Sequence, residues 1–290
     1  MALPRGLPVV DHHCHLSPDG EGVAAAARFH AAGGTHLFLT TQNYAHRPLT
    51  TIDDYRRQFE TTESLARRVR EEAGVVVYPV VAPYPIDLVA AAPVLGMPAA
   101  LALQRAALEL AGTWVREKRA VALGEVGHPH FPVDPLVEEA AGEAFRHALA
   151  VAHDVGCPVV VHSADLDPAG YRRLAQEAAA AGLPAGRVVK HYTRRRVAPD
   201  ESGGIVPSYL ARRELVREVN GDPAPWFLET DFLDDPSRPG AVLDLETVPR
   251  RARALAEGPA DAGERLWVPF VESVERVYGW RPELPDRKAP

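Results

Sequence analysis

Short apolar runs alternate with longer stretches whose apolar positions recur every three or four residues along most of the chain. The short runs read as buried parallel strands, and the longer stretches as helices that cover them. Strands are expected over Leu7–His13, Thr35–Thr40, Val75–Val81, Ala120–Glu125, Pro158–His162, Arg187–His191, Gly204–Val206 and Pro225–Asp231. Helices are expected over Ile52–Ala73, Pro98–Arg119, Pro135–Val155, Ala169–Ala181 and Tyr209–Val219. Gly156 and Gly182 stand just past two of them, where a left-handed residue ends a helix. Eight strands alternating with helices point to an α/β fold, a closed (β/α)8 TIM-type barrel. The run at Gly204–Val206 is the least strand-like. No repeat or low-complexity linker divides the chain, so residues 1–281 read as one barrel domain and 282–290 as a C-terminal tail. From Val248 onward a helix is expected, then a second over Gly263–Gly279 with Trp267, Phe270, Val271, Val274 and Val277 as its apolar positions. It is expected to pack on the barrel exterior, with a dimer face as the alternative.

Composition narrows the class without naming a function. A hydrophobic share of 46% and a charged share of 24% are ordinary for a soluble domain and exclude disorder, collagen and a simple coiled coil. The formal net charge of −7 gives no overall attraction to nucleic acid, though it permits a local basic pocket. Cys14 and Cys157 are too few for a disulfide framework. They fall at opposite ends of their strands, and a strand of about five residues spans roughly 17 Å, so they are expected to stay unpaired. With no basic-then-apolar leader and no apolar run of membrane length, a cytoplasmic protein without a membrane partner is expected.

The polar residues carry the chemistry. His13, His15, Glu125, His162, His191 and Asp231 each fall at or just past the end of an apolar run. In a parallel barrel all such ends share one rim, where active sites are built. Alternation along a strand sends His13 and His15 to one face, and His12 and Cys14 to the other. Any one of the six has a plain structural role, such as a helix N-cap for Asp231. Together, on strands one, four, five, six and eight, they suit a divalent-metal site on the C-terminal rim. Without a cation, buried Glu125 and Asp231 would repel each other and be pushed up in pKa. Imidazole and carboxylate ligands suit Zn, Mn, Co or Fe, with Mg possible.

The pattern Asp11-x-His13-x-His15, Gly124-Glu125-Val126-Gly127, His162, His191 and Thr230-Asp231 resembles the TatD family of metal-dependent hydrolases, within the amidohydrolase superfamily. The resemblance runs from about Val9 to Tyr278. The stretches Gly124–His130, Lys190-His191-Tyr192 and Glu229-Thr230-Asp231 through Arg238-Pro239-Gly240 are similar to its archaeal TatD-like branch. The resemblance implies two divalent ions, one held by His13, His15 and Asp231, the other by His162 and His191, with Glu125 bridging them. Glu125 takes the place of a carbamylated lysine found in some relatives; Lys190, facing opposite to His191, does not. It also implies a water activated between two cations, with Asp231 as general base and later proton donor to the leaving group. Asp11 and Glu229 share strand parity with their neighbouring ligands. Either they hold imidazoles in one tautomer, or they cap backbone amides.

Several rim residues are candidate substrate contacts. His128 and His130 follow Glu125, and Arg194, Arg195 and Arg196 follow His191, where guanidinium groups suit phosphate or carboxylate. His46, in the loop Thr41–Thr50, is similarly placed. His36 reads as a core residue, and His30, His147 and His153 as structural residues on helices. The resemblance implies a metal-dependent deoxyribonuclease or phosphodiesterase first, acting on a nucleic-acid end or a small molecule. Two departures touch substrate contacts and leave the ligands intact. Ser163 is followed by Ala164-Asp165 where the family commonly has an arginine, and Tyr192-Thr193-Arg194 replaces its Phe-Ser-Gly. Small esters, lactones, phosphoesters and amides are therefore competing substrates, since one activated water serves all of them. A non-catalytic metal-binding scaffold is the alternative outside enzymes, and the complete ligand set argues against it.

Overall fold

The computed structural model describes residues 3–283 apart from 236, 239 and 260. The elements in chain order are β1 (Val10–His15), α1 (Val23–Ala31), β2 (His36–Thr40), α2 (Ile52–Arg68), β3 (Val76–Val80), α3 (Pro85–Leu95), α4 (Met97–Arg116), β4 (Leu123–Gly127), α5 (Pro135–Val155), β5 (Val159–His162), α6 (Pro168–Ala180), β6 (Val188–Thr193), β7 (Val206–Leu210), α7 (Arg213–Val219), β8 (Phe227–Glu229), β9 (Phe232–Leu233), α8 (Thr247–Ala256) and α9 (Ser273–Tyr278). The expected tail lies, from residue 284 on, outside the described residues. No helix among the described residues is long and apolar enough to cross a membrane.

Every strand pair is parallel, in the orders β3-β2-β1-β9 and β4-β5-β6-β7-β8. Backbone bonds close the two seams into a barrel. Val121 donates to the Pro79 carbonyl at 2.9 Å on one side, and Asp231 to the His13 carbonyl at 3.0 Å on the other. β8 and β9 share the eighth strand position, because the break between them holds Asp231 at φ 50°. That left-handed conformation is one that aspartate tolerates better than most residues. Val159, Val160 and Val161 are fully buried, as a strand covered on both faces requires. Thr51 and Asp54 form a reciprocal capping box at the start of α2, and Gly156 ends α5 at φ 75°.

Four expectations need correction. The seventh strand is β7, and it takes Tyr209 and Leu210 from the expected helix, which starts only at Arg213. Pro207 interrupts the apolar pattern there, yet it pairs with Lys190 across the sheet. The first strand is shifted toward the rim and ends at His15 rather than His13. Its alternation also breaks. Asp11 pairs with Leu37 and Cys14 with Leu39, so three residues of β1 span two of β2. His12 consequently does not face outward. It stacks on Phe227 at 3.8 Å and bonds the Tyr278 hydroxyl at 2.8 Å, while Phe227 shares a strand face with Glu229 at the metal-ligand end. Cys14 does face outward, with its Sγ 3.6 Å from the Phe38 carbonyl, and both cysteines are free and buried.

The C-terminal segment differs as well. It is helical from Glu264 to Tyr278, as expected, but not uniformly so: a 3-10 turn (Glu264–Leu266) leads into a π turn (Val268–Glu272), where Pro269 lacks a backbone donor, and then into α9. Its end closes the barrel opposite the rim. Tyr278 packs 4.8 Å from Phe38, and Trp280 packs 4.4 Å from Tyr78.

Candidate metal centre

The two glycines around Glu125 explain how β4 brings it inward. A side chain at Gly124 would collide with Val80 and Val160, and one at Gly127, at φ 132°, would overlap the His162 carbonyl oxygen. Bare backbone at these two positions lets β4 lie close against β5. Glu125 therefore reaches the rim beside His162.

The structure brings all six rim residues together, with Glu125 at their centre. Its Oε1 lies 3.1 Å from Nε2 of both His13 and His15. Its Oε2 lies 2.6 Å from His162 Nδ1 and 3.3 Å from His191 Nε2. Asp231 Oδ1 is 3.7 Å from His13 Nε2 and 3.8 Å from His15 Nε2. The donor atoms of His13, His15 and Asp231 fall within 4.8 Å of one another, as do those of Glu125, His162 and His191.

This donor set fits divalent cations. His13 Nε2 faces His15 Nε2 at 3.2 Å, and His162 Nδ1 faces His191 Nε2 at 3.1 Å. Each imidazole pair can share only one hydrogen, so the four nitrogens crowd onto the two oxygens of one carboxylate, Glu125. A small cation accepting their lone pairs satisfies them all at once.

The far sides of the His13 and His15 rings are also held, and a carboxylate stands behind His191. His15 Nδ1 lies 3.1 Å from the Thr40 carbonyl, and His13 Nδ1 lies 3.4 Å from the Thr40 hydroxyl. His191 Nδ1 lies 3.6 Å from Glu229 Oε1, and that carboxylate also accepts from the Tyr192 amide at 2.6 Å and from the Ser208 hydroxyl. Asp11 takes the other of its two readings. It touches no imidazole and accepts from the His13 and Thr230 amides and from the Thr230 hydroxyl at 2.6 Å.

Charge follows from this packing. Burial alone would raise Glu125, but the surrounding imidazoles, His191 and His162 foremost, hold its carboxyl well below the usual range. Asp231 has weaker support. Burial pushes it up to about 7, opposed by His191 and His15. Lys190 is buried beside the Ser163 and His191 carbonyls, and burial brings it down to about 8.

The expected substrate contacts divide. His130 Nδ1 meets His162 Nε2 at 2.8 Å. His128 instead packs 5.3 Å from Phe145 of α5, away from the cluster. The three arginines are engaged by carboxylates: Arg194 by Asp165, Arg195 by Glu201 at 3.2 Å and Arg196 by Asp222 at 2.7 Å. The run is therefore no free anion clamp. The Arg194 and Arg195 pairs are open to solvent, each side chain between about a third and a half exposed, so screening leaves both of them weak. Two residues of the site escaped sequence reasoning. Thr40 was legible only as the end of a strand, and Tyr84, whose hydroxyl lies 3.2 Å from His162 Nε2, follows β3 in a loop that carries no motif.

Comparison with known proteins places this geometry. A model of the family described as TatD related DNase matches residues 10–279. The uncharacterized protein MJ1127 of the archaeon Methanocaldococcus jannaschii is 30% identical over 289 residues, covering 98% of this chain and 100% of its own. Among solved structures, the TatD homologue YJJV of Escherichia coli superposes with a TM-score of 0.58 at 17% identity, covering 93% of this chain and 98% of that one. A mutant organophosphorus hydrolase from Deinococcus radiodurans superposes with a TM-score of 0.61 at 16% identity, covering 94% of each chain. At such identities these likenesses establish the fold, a TIM barrel.

Proposed function

The chain belongs to the TatD-related DNase family, and from that premise we propose that it hydrolyses ester bonds, phosphodiesters first, with a water activated at a binuclear metal centre. The observation that carries the reading is the convergence of four imidazoles on the two oxygens of one buried carboxylate, Glu125. His13, His15 and Asp231 would hold one divalent ion and His162 and His191 the other, with Glu125 shared. Bound there, the ions would lower the pKa of water toward neutrality and polarise the bond under attack.

The chain's own groups account for the rest. Asp231 accepts the proton from the attacking water and returns it to the leaving oxygen. Glu125 would hold the ions and take no part in the proton transfer. Thr40 orients the ring of His15 from behind, and Glu229 sets a negative charge behind His191.

A second substrate class has its own support. Each arginine of the run already faces a carboxylate, so the run is not an unopposed cationic track for a polynucleotide, and this favours small esters, lactones, phosphoesters or amides. One assay separates the readings. Purified protein loaded with Mg, Mn or Zn is given 3′-labelled single-stranded DNA and, in parallel, aryl esters, lactones and phosphotriesters, with Asp231→Asn as the blank. Nucleotide release that falls about 10²–10⁴-fold in the variant supports the nuclease. Turnover of the small esters alone moves the substrate to that class. No turnover of any of these by metal-loaded protein sinks the ester-hydrolase reading and leaves an amide hydrolase or a metal-binding scaffold.

A further inference from the structure

His162 is wired differently from the other rim histidines. Thr40 and Glu229 lie behind His13, His15 and His191, whereas Nε2 of His162 faces two side chains, His130 Nδ1 at 2.8 Å and Tyr84 Oη at 3.2 Å. Its Nδ1 lies 2.6 Å from Glu125 Oε2. Both nitrogens are thus claimed, and the ring can present only Nδ1 to the cluster. To ligate a metal, Nδ1 must lose its hydrogen, and the neutral ring then carries it on Nε2. That hydrogen needs an acceptor. When Nδ1–H instead donates to Glu125, Nε2 needs a donor. A carbonyl or carboxylate serves only the first state, but an imidazole and a phenol serve both.

We infer that His130 and Tyr84 are positioning residues that hold His162 as an Nδ1 ligand, by pairing with its Nε2 in either tautomer; this rests on the binuclear reading above. Accepting through Nδ1 leaves the His130 hydrogen on its own Nε2. Tyr84 is well placed for the task. It stands immediately before α3, where its amide donates to Asp87 at 3.0 Å and its carbonyl accepts from Gln104 Nε2 at 3.2 Å. His130 sits on the exposed loop after β4, with Phe131 edge-on at 5.1 Å. Its loss therefore removes little packing.

The test is zinc titration against a chromophoric chelator, with wild type, His162→Ala, His130→Ala, Tyr84→Phe, the His130→Ala/Tyr84→Phe pair and His130→Asn. Wild type is expected to bind two ions and His162→Ala to lose one of them. His130→Ala is expected to weaken that same site about 10–100-fold while sparing the other, and the double variant to weaken it further. His130→Asn, which keeps an accepting and a donating group close to the ring, is expected to recover most of the loss. Nitrogen NMR of the zinc-loaded wild type should show His162 protonated at Nε2. If the double variant keeps both affinities while His162→Ala loses one, the inference fails and the metal reading stands. If His162 is protonated at Nδ1 in the loaded protein, the inference fails too. If wild type takes up no zinc, the metal reading falls and carries the inference with it.

Discussion

His36 lies fully buried inside the barrel, at the end opposite the rim, with Nδ1 2.7 Å from the Thr35 hydroxyl and Nε2 2.5 Å from the Glu283 carbonyl. Burial pushes its pKa down from 6.5 to about 4, only partly offset by the Glu283 contact. The folded protein therefore keeps this imidazole neutral where the unfolded chain would protonate it. Its contribution to stability is present above pH 6.5 and is lost as pH falls toward 4, because unfolding then takes up a proton. Between pH 7 and pH 5 the loss from this one group is about 2 kcal/mol. For a chain of this size that corresponds to a melting temperature lower by about 3 °C. The assay is calorimetric melting of wild type and His36→Phe at both pH values. The other titrating groups are common to both proteins and largely cancel in the difference. The variant is expected to be less stable at pH 7, having lost two hydrogen bonds, but its decline toward pH 5 should be flatter by that amount. An equally steep decline in the variant would refute the reasoning.

Two further predictions concern the site. Glu125→Gln removes the anion that all four imidazoles face, so zinc stoichiometry measured by elemental analysis should fall below two per chain while circular dichroism stays that of the folded barrel; retention of two tightly held ions would show that this carboxylate bridges nothing. Gly127→Ala places a methyl group against the His162 carbonyl at a backbone conformation that disfavours any side chain, so it should cost about 1–3 kcal/mol in urea unfolding, and an unchanged midpoint would refute the close approach of β4 and β5.

Much of the fold was legible because its signals are local. Runs such as Val159–Val161 and amphipathic stretches such as Ile52–Arg68 report their own state, and the Gly156 stop is a single-residue signal. The rim residues were legible for a topological reason: parallel strands put all their carboxyl ends on one side, so position along a strand stands in for position in space. Where a local rule was broken by tertiary context, the reading slipped. The bulge in β1 turned His12 inward, Pro207 hid β7, and the charge run at Arg194–Arg196 gave no sign of the acidic partners Asp165, Glu201 and Asp222. Tyr84 and Thr40 show the remaining gap. Each earns its place by touching a histidine far away in sequence, which no spacing within the chain records.

The central claim is that one rim holds two cations across Glu125. Anomalous diffraction at the zinc edge from zinc-soaked crystals tests it most directly. Two peaks are expected about 3.5–4 Å apart, one within about 2.0–2.2 Å of His13, His15 and Asp231, the other at the same range from His162 and His191, with a Glu125 oxygen on each. A single peak, or peaks that leave Glu125 without a metal contact, would contradict it.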